Sequence, residues 1–116
     1  MMQIDVLFAG VPTSDLASAV EWYGALLGRP PDIVPTDYEV MWRLNDGAWL
    51  LVLRDPERSG TALVNVAVPD LDAVTGEIAK RGKFSLPVET VEGAGRKAQY
   101  LDLEGNSITF IQVLGA

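Results

Sequence analysis

The sequence predicts an α+β fold in which one order of elements (strand, helix, strand, strand, strand) occurs twice. Apolar residues recur at helical spacing in two stretches, and alternating or β-branched segments follow each of them. Matched landmarks then relate the halves. Asp15 corresponds to Asp70, Trp42 to Tyr100 and Gly47 to Gly105. At 116 residues, the chain is predicted to form one domain built from two small modules.

The first half opens with an apolar strand predicted over residues 4–11 and closed by Pro12. Thr13, Ser14 and Asp15 offer N-cap side chains for a helix that Gly28 terminates. The predicted buried face of this helix comprises Leu16, Ala19, Val20, Tyr23 and Leu27, with Trp22 at its edge. Three predicted strands follow, over residues 33–36, 38–44 and 48–54. The last of them is so apolar that we expect it to be buried on both faces.

Residues 55–60 form the predicted linker, because turn-forming and charged residues cluster there. It separates a first module, residues 1–54, from a second module, residues 61–116. The second module repeats the order, with strands predicted over 61–68, 88–92, 96–102 and 107–114 and a helix from the Asp70 N-cap to Gly82. At the matched positions, Trp42 and Tyr100 are expected to pack against the helices. Lining a cup is the alternative.

The composition excludes several kinds of chemistry. The chain has no cysteine and no histidine, which removes disulfides, thiolate ligands, the commonest metal ligand and the commonest general base. A net charge of −7 leaves no basic surface for nucleic acid and disfavours anionic membranes. The longest apolar run, residues 48–53, is too short to cross a bilayer. The N-terminus resembles no signal sequence, so we expect a cytoplasmic protein.

The last turn and strand carry a family resemblance. Residues 102–110, Asp-Leu-Glu-Gly-Asn-Ser-Ile-Thr-Phe, are similar to the Asp-Pro-Asp-Gly-Asn-x-Ile-x-Phe signature of the vicinal oxygen chelate superfamily. The opening resembles that superfamily too, in residues 6–11 and 14–16 and in the Trp-Tyr and Leu-Leu-Gly groups of the first helix. The superfamily includes glyoxalases, extradiol dioxygenases, and bleomycin and fosfomycin resistance proteins. The resemblance implies two βαβββ modules whose curved mixed sheets surround a cup, and a homodimer.

The resemblance also implies where a metal would lie. Enzymes of the superfamily hold a divalent cation with four inward side chains, usually His, Glu or Gln. Carried over to this chain, those positions fall on Phe8, Leu51, Leu63 and Thr109. The first three have no donor atom, and a lone hydroxyl is a poor ligand. A carboxylate-only site would have to use Glu39, Glu89, Glu92 or Asp102. We therefore expect no metal site and no cofactor.

Strand alternation places a set of mostly apolar residues on the face that would line the cup. The predicted ligand-binding residues are Phe8, Trp49, Leu51, Leu63, Asn65 and Thr109. Asn65 and Thr109 are the expected polar contacts, because an unpaired buried amide would be costly. Arg43 and Gln99 would join them only if their faces point inward. The sequence does not decide which faces of residues 38–44 and 96–102 do so.

Three functions fit this pattern. The first is a metal-independent protein that binds, and by binding sequesters, an aromatic or amphipathic small molecule, in the manner of resistance proteins. The second is a divergent lyase, isomerase or dioxygenase-related enzyme that uses Tyr38, Glu39 and Arg43 in place of a metal. The third is an interaction module whose cup is filled and whose function resides in its dimer surface.

Overall fold

The computed structural model describes residues 1–114 of the chain. Its elements are β1 (Leu7–Thr13), α1 (Leu16–Leu27), β2 (Ile33–Thr36), β3 (Glu39–Asn45), β4 (Ala48–Arg54), β5 (Leu63–Ala67), α2 (Leu71–Lys80), β6 (Glu89–Val91), β7 (Gly95–Leu101) and β8 (Ser107–Val113). Each half therefore has the order βαβββ, and the predicted α+β fold is confirmed. No helix in the described range is long and apolar enough to cross a membrane.

Each half forms its own four-stranded mixed sheet. The strand orders are β1-β4-β3-β2 and β5-β8-β7-β6. In each sheet the first and last strands of the half pair in parallel, and the remaining pairs are antiparallel. Within residues 1–114, no strand of one sheet is hydrogen-bonded to a strand of the other. Each sheet has one side covered by its own helix. We call the opposite side the inner face.

The core lies between each sheet and its helix. Trp42 and Tyr100, at matched positions, are 0% and 2% exposed, so the prediction that they pack against the helices is confirmed. The buried residues of α1 are Ala19, Trp22, Tyr23 and Leu26. This face is rotated from the predicted one. Trp22 is buried rather than at the edge, and Leu27 is only partly buried, because the Trp22 ring packs edge-on against Tyr23 at 4.7 Å and buries a larger apolar area than a leucine would.

Two strand predictions were wrong in detail. The first strand begins at Leu7 and continues through Pro12, which is tolerated because β1 is an edge strand and the missing N–H interrupts no ladder. The apolar strand β4 is buried on one face only. Leu50 and Val52 face the helix, whereas Leu51 and its neighbours on the inner face remain partly exposed.

A polar junction joins the two halves. We define it as Tyr23, Asp102, Glu104 and Asn106. Asn106 is fully buried, and its side-chain amide donates to the Pro12 carbonyl and to the Asp102 carboxylate, each at 2.8 Å. Its side-chain oxygen accepts from the backbone N–H of Ala62 at 3.0 Å. The Tyr23 hydroxyl donates to Asp102 at 2.8 Å. The turn that the sequence predicted is therefore also the connection between β1, α1 and the start of β5.

Glu104 closes the junction against the start of α1 and the linker. Its carboxylate accepts from the hydroxyls of Thr13, Ser14 and Ser59, and from the backbone N–H of Ser14 at 2.9 Å. Burial raises the pKa of this carboxyl, but the hydrogen bonds from Ser14, Ser59 and Thr13 outweigh that effect and lower the pKa to about 2. The charged form of Glu104 is therefore the form that the folded chain stabilises.

Arg81 makes a second connection between the halves. It follows α2, and its guanidinium donates to the carbonyl oxygens of Ala25 and Leu26 in the last turn of α1. Another nitrogen pairs with Glu77 at 3.0 Å. The last carbonyls of a helix have no partner within the helix, and a cation suits that end of the helix dipole. Arg81 thus caps a helix of the other half.

Replacing Arg81 by methionine should lower the free energy of unfolding by about 2 kcal/mol, because two helix carbonyls lose a charged donor. Urea denaturation of both proteins measures this difference. The matched control is Arg58→Met, since Arg58 also pairs with an acid but its side chain is 80% exposed. The control should change stability by less than about 0.5 kcal/mol. Equal effects of the two substitutions would contradict a capping role for Arg81.

Glu104→Gln should make stability less dependent on acid pH. The pKa of Glu104 is about 2 in the folded chain against an ordinary 4.5, so its ionised form stabilises the fold above pH 4.5. That stabilisation is lost as pH falls from 4.5 towards 2. We expect wild type to exceed the variant by about 2 kcal/mol at pH 7 and the two to converge near pH 2.

Urea midpoints at a series of pH values measure this convergence. Glu57→Gln, which changes an exposed glutamate of the linker, is the control and should follow wild type at pH 7. A constant gap between wild type and Glu104→Gln down to pH 2 would mean that the charge of Glu104 does not contribute.

Candidate functional site

The inner face of the first sheet is an apolar wall. Phe8 pairs with Trp49 across the β1–β4 ladder, and their ring centroids lie 6.2 Å apart. Leu51 lies on the same face, next to Met41 of β3 and two residues from Leu53. We call these five residues the apolar wall. Phe8 is 48% exposed, and the other four are partly buried, so the wall is accessible in the folded chain.

The inner face of the second sheet instead holds a polar pocket. Asn65 pairs with Thr109, and Thr109 pairs with Gln99 on the next strand. These three residues line a cavity of about 250 Å³. We call this cavity the polar pocket, and its lining is Asn65, Leu86, Pro87, Glu89, Lys97, Gln99 and Thr109.

Hydrogen bonds fix several of these side chains before any ligand arrives. Gln99 donates to the Ser107 hydroxyl at 2.8 Å, and the hydroxyl oxygens of Ser107 and Thr109 lie 3.4 Å apart. Ser107 and Thr109 are 5% and 6% exposed. The Lys97 ammonium lies 3.7 Å from Glu89. The pocket thus offers an amide, a hydroxyl and an ion pair whose orientations are set by the sheet.

The structure divides the six predicted ligand-binding residues between the two sheets. Phe8, Trp49 and Leu51 belong to the apolar wall, and Asn65 and Thr109 belong to the polar pocket. Leu63 lies on the inner face of β5 but is 80% exposed and outside the lining of the pocket. The binding role of these residues stays a prediction.

Asn65 differs from the expectation that its amide would be buried. Asn65 is exposed rather than buried, because nothing among residues 1–114 covers the inner face of β5. Its amide therefore has no burial cost to offset, and its carboxamide is open to solvent. Thr109 is buried as expected.

The structure also determines the two faces that the sequence left open. Arg43 pairs with Trp49, and Gln99 with Thr109, so both point to the inner faces. Lys97, which also lines the polar pocket, was not predicted as a site residue. The alternation of Lys97 with Gln99 along β7 was the available signal, but it required knowing that Tyr100 faces the helix.

The three residues suspected of metal-free catalysis do not contact one another in a common site. Glu39 accepts from the Thr36 hydroxyl at 3.0 Å, Arg43 pairs with Asp46 in the adjacent turn, and Tyr38 is 50% exposed. These contacts do not direct the three groups at a common point.

The side chains at the four positions expected to ligate a metal do not fit a metal ion. The carried-over positions place Phe8 and Leu51 on one inner face and Leu63 and Thr109 on the other, and a hydroxyl is their only side-chain donor. Within residues 1–114, no group of three or more His, Cys, Asp or Glu residues lies close enough together to hold a metal ion. Asp102, one candidate for a carboxylate site, is engaged by Tyr23 and Asn106.

The fold and the site can be compared with known proteins. The chain is 39% identical to a glyoxalase / bleomycin resistance protein from Catenulispora Acidiphila DSM 44928, over 93% of this chain and 97% of that one, with a TM-score of 0.88. The chain therefore belongs to the glyoxalase/bleomycin resistance protein family, within the vicinal oxygen chelate superfamily.

More distant structures share the fold. TnmS3, an antibiotic binding protein from Streptomyces sp. CB03234, is 21% identical with a TM-score of 0.75, over 97% of this chain and 98% of that one. A lactoylglutathione lyase from Agrobacterium tumefaciens is 12% identical with a TM-score of 0.71, over 92% of each chain. No protein-family model matches the chain, and no curated protein matches it.

Proposed function

We propose that this protein binds a small aromatic or amphipathic molecule without a metal ion and sequesters it in the cytoplasm, as a resistance protein would. The observation that carries the proposal is the accessible apolar wall. Phe8 and Trp49 present neighbouring rings, 6.2 Å apart, on a sheet face that is not covered by the rest of the described chain. Exposed apolar surface of this kind commonly marks a binding site.

The energetics favour an aromatic ligand. A molecule that covers about 200 Å² of apolar surface gains about 5 kcal/mol at 25 cal/mol/Å², before the cost of association. Ring-on-ring contact with Phe8 and Trp49 adds about 1 kcal/mol for each well-oriented pair. The names of similar proteins support this proposal, since one is a glyoxalase / bleomycin resistance protein and TnmS3 is an antibiotic binding protein.

The polar pocket would orient the polar end of the ligand. Asn65 and Thr109 supply an amide and a hydroxyl, and Lys97 with Glu89 supplies opposite charges. An apolar surface with a few fixed polar groups is the usual composition of a small-molecule site. In one chain, however, the wall and the pocket lie on different sheets.

A homodimer would bring the wall and the pocket together. A two-fold axis can place the apolar wall of one copy against the polar pocket of the other, and it does so twice. The free edges of β1 and β5 suit such a contact. Leu7 is 66% exposed, and Leu63 is 80% exposed, on the strands that would meet.

Phe8→Ala should weaken binding of N-phenyl-1-naphthylamine, an uncharged aromatic probe, by about tenfold, because roughly 60 Å² of apolar contact is lost. Probe fluorescence at increasing protein concentration gives Kd. Tyr38→Ala is the matched control, because Tyr38 is 50% exposed but lies outside the apolar wall. The control should bind like wild type, and equal losses in both variants would contradict the proposed site.

The same titration tests metal independence. After dialysis against EDTA, the wild-type Kd should be unchanged, and a native mass spectrum should show protein and probe without a stoichiometric divalent cation. Loss of binding that a divalent cation restores would overturn the metal-free proposal and favour an enzyme.

Leu63→Lys should shift the protein from dimer towards monomer, because a charge would be placed at the proposed contact between β5 and the partner. Light scattering coupled to size-exclusion chromatography measures the mass. Leu103→Lys is the control, since Leu103 is 68% exposed but lies in the turn beside the polar junction. A wild-type monomer, or a dimer that both variants retain, would count against this arrangement.

A further inference from the structure

A groove of about 420 Å³ lies on the helix side of the second sheet. It runs between α2 and residues 83–88, and Tyr100 lines it from the sheet. We call it the outer groove. It shares no lining residue with the polar pocket, which lies on the opposite face of the same sheet.

Tyr100 is the unusual group in the outer groove. The residue is 2% exposed, yet its hydroxyl forms no hydrogen bond with any group among residues 1–114. In that range, every side-chain nitrogen or oxygen that is sealed from solvent has a partner. The hydroxyl of Tyr100 must therefore reach solvent through the groove that it lines. Burial alone raises its pKa, whereas Tyr23 also donates to Asp102.

In the first half, the aromatic residue at the matched position does have a hydrogen-bond partner. Trp42, which corresponds to Tyr100, donates its ring N–H to the Arg29 carbonyl at 2.9 Å. Arg29 lies in the segment that follows α1. In the second half Gly82 ends the helix turn as Gly28 does in the first, and the residues that follow it are Lys83 and Phe84, of which Phe84 is 75% exposed. The segment that covers the aromatic residue in one half thus leaves it open in the other.

The walls of the groove indicate what would fit. Phe84 and Val88 are exposed apolar residues on one side. On the other side Gly76 has open space, since a Cβ built there meets no atom within 4 Å. Lys83 forms no salt bridge in the described part of the chain, and its ammonium lies 6.0 Å from the Trp22 ring centroid, at the limit of a cation–π contact. Asp72 also lines the groove, but Arg96 pairs with it at 3.0 Å.

We propose that the outer groove binds a small aromatic carboxylate. Its carboxylate accepts a hydrogen bond from the Tyr100 hydroxyl and pairs with Lys83, and its ring lies between Phe84 and the Gly76 side of α2. A phenol and an ammonium are both donors that a carboxylate accepts, and a charge-assisted bond is about twice as strong as a neutral one. This site is independent of the cup and of the dimer.

The test uses 2-naphthoate as the probe and ¹⁵N-labelled full-length protein. Amide shifts in the NMR spectrum should move in α2 and in residues 83–88 and give Kd. Tyr100→Phe keeps the ring and removes only the hydroxyl, so it should fold and bind the probe about five- to tenfold more weakly. Lys83→Met should weaken binding to a similar extent.

Two further variants test whether the groove is the site. Gly76→Leu places a side chain in the open space and should abolish the shifts in α2, whereas Val34→Ala, which changes an exposed residue of β2 outside the groove, should leave the naphthoate Kd unchanged. The proposal is overturned if Tyr100→Phe binds as tightly as wild type, which would mean that water satisfies the hydroxyl. It is also overturned if the shifts centre on Asn65, Lys97 and Thr109.

Discussion

The fold depends on the carboxylate of Asp102, which accepts four hydrogen bonds at once. One oxygen accepts from the backbone N–H groups of Glu104 and Asn106, and the other from the Tyr23 hydroxyl and the Asn106 amide. Asn106 then reaches the Pro12 carbonyl and the Ala62 N–H. A buried polar group left without its partner costs about 1–3 kcal/mol, so each bond of this network supports the others. Removal of any member would leave several groups unsatisfied.

The position of this network determines what the sheets can do. The halves are joined at the polar junction and again where Arg81 caps α1, and both connections lie away from the inner faces. The inner faces therefore need no residues to hold the chain together. One has become an apolar wall and the other a polar pocket, although they arise from the same repeated unit. An accessible surface that is not required for the stability of the chain is free to be specialised for a ligand.

Local sequence patterns were sufficient to predict the helices and strands, but they were not sufficient to predict the long-range contacts that join the two halves. N-caps could be predicted because capping is a contact over three residues. Asp70, and Asp15 among the candidates Thr13, Ser14 and Asp15, accept from the helix N–H groups. The role of Asn106 could not be predicted, since its partners Pro12 and Ala62 lie 94 and 44 residues away. The prediction that Trp22 lies at the edge of the buried helix face was wrong for a related reason. Which residues at the border of an apolar face become buried depends on the elements that pack against the helix. Alternation placed the wall residues on one face, but the exposure of Asn65 depends on what covers the sheet.

Four positions hold metal ligands in enzymes of the superfamily, and the residues at these positions in this chain are better suited to binding a ligand than to catalysis. A metal site concentrates polar donors at one point, and each must be oriented and desolvated at a cost. With Phe8, Leu51 and Leu63 at those positions, the centre of the proposed cup instead offers apolar contact, which is non-directional and scales with area. Such a surface gains free energy from any ligand that covers it and offers little that would stabilise a transition state more than a ground state. Thr109 is the one polar group that remains there, and one buried hydroxyl can orient a ligand. These four residues are therefore one reason why we propose sequestration of an aromatic molecule.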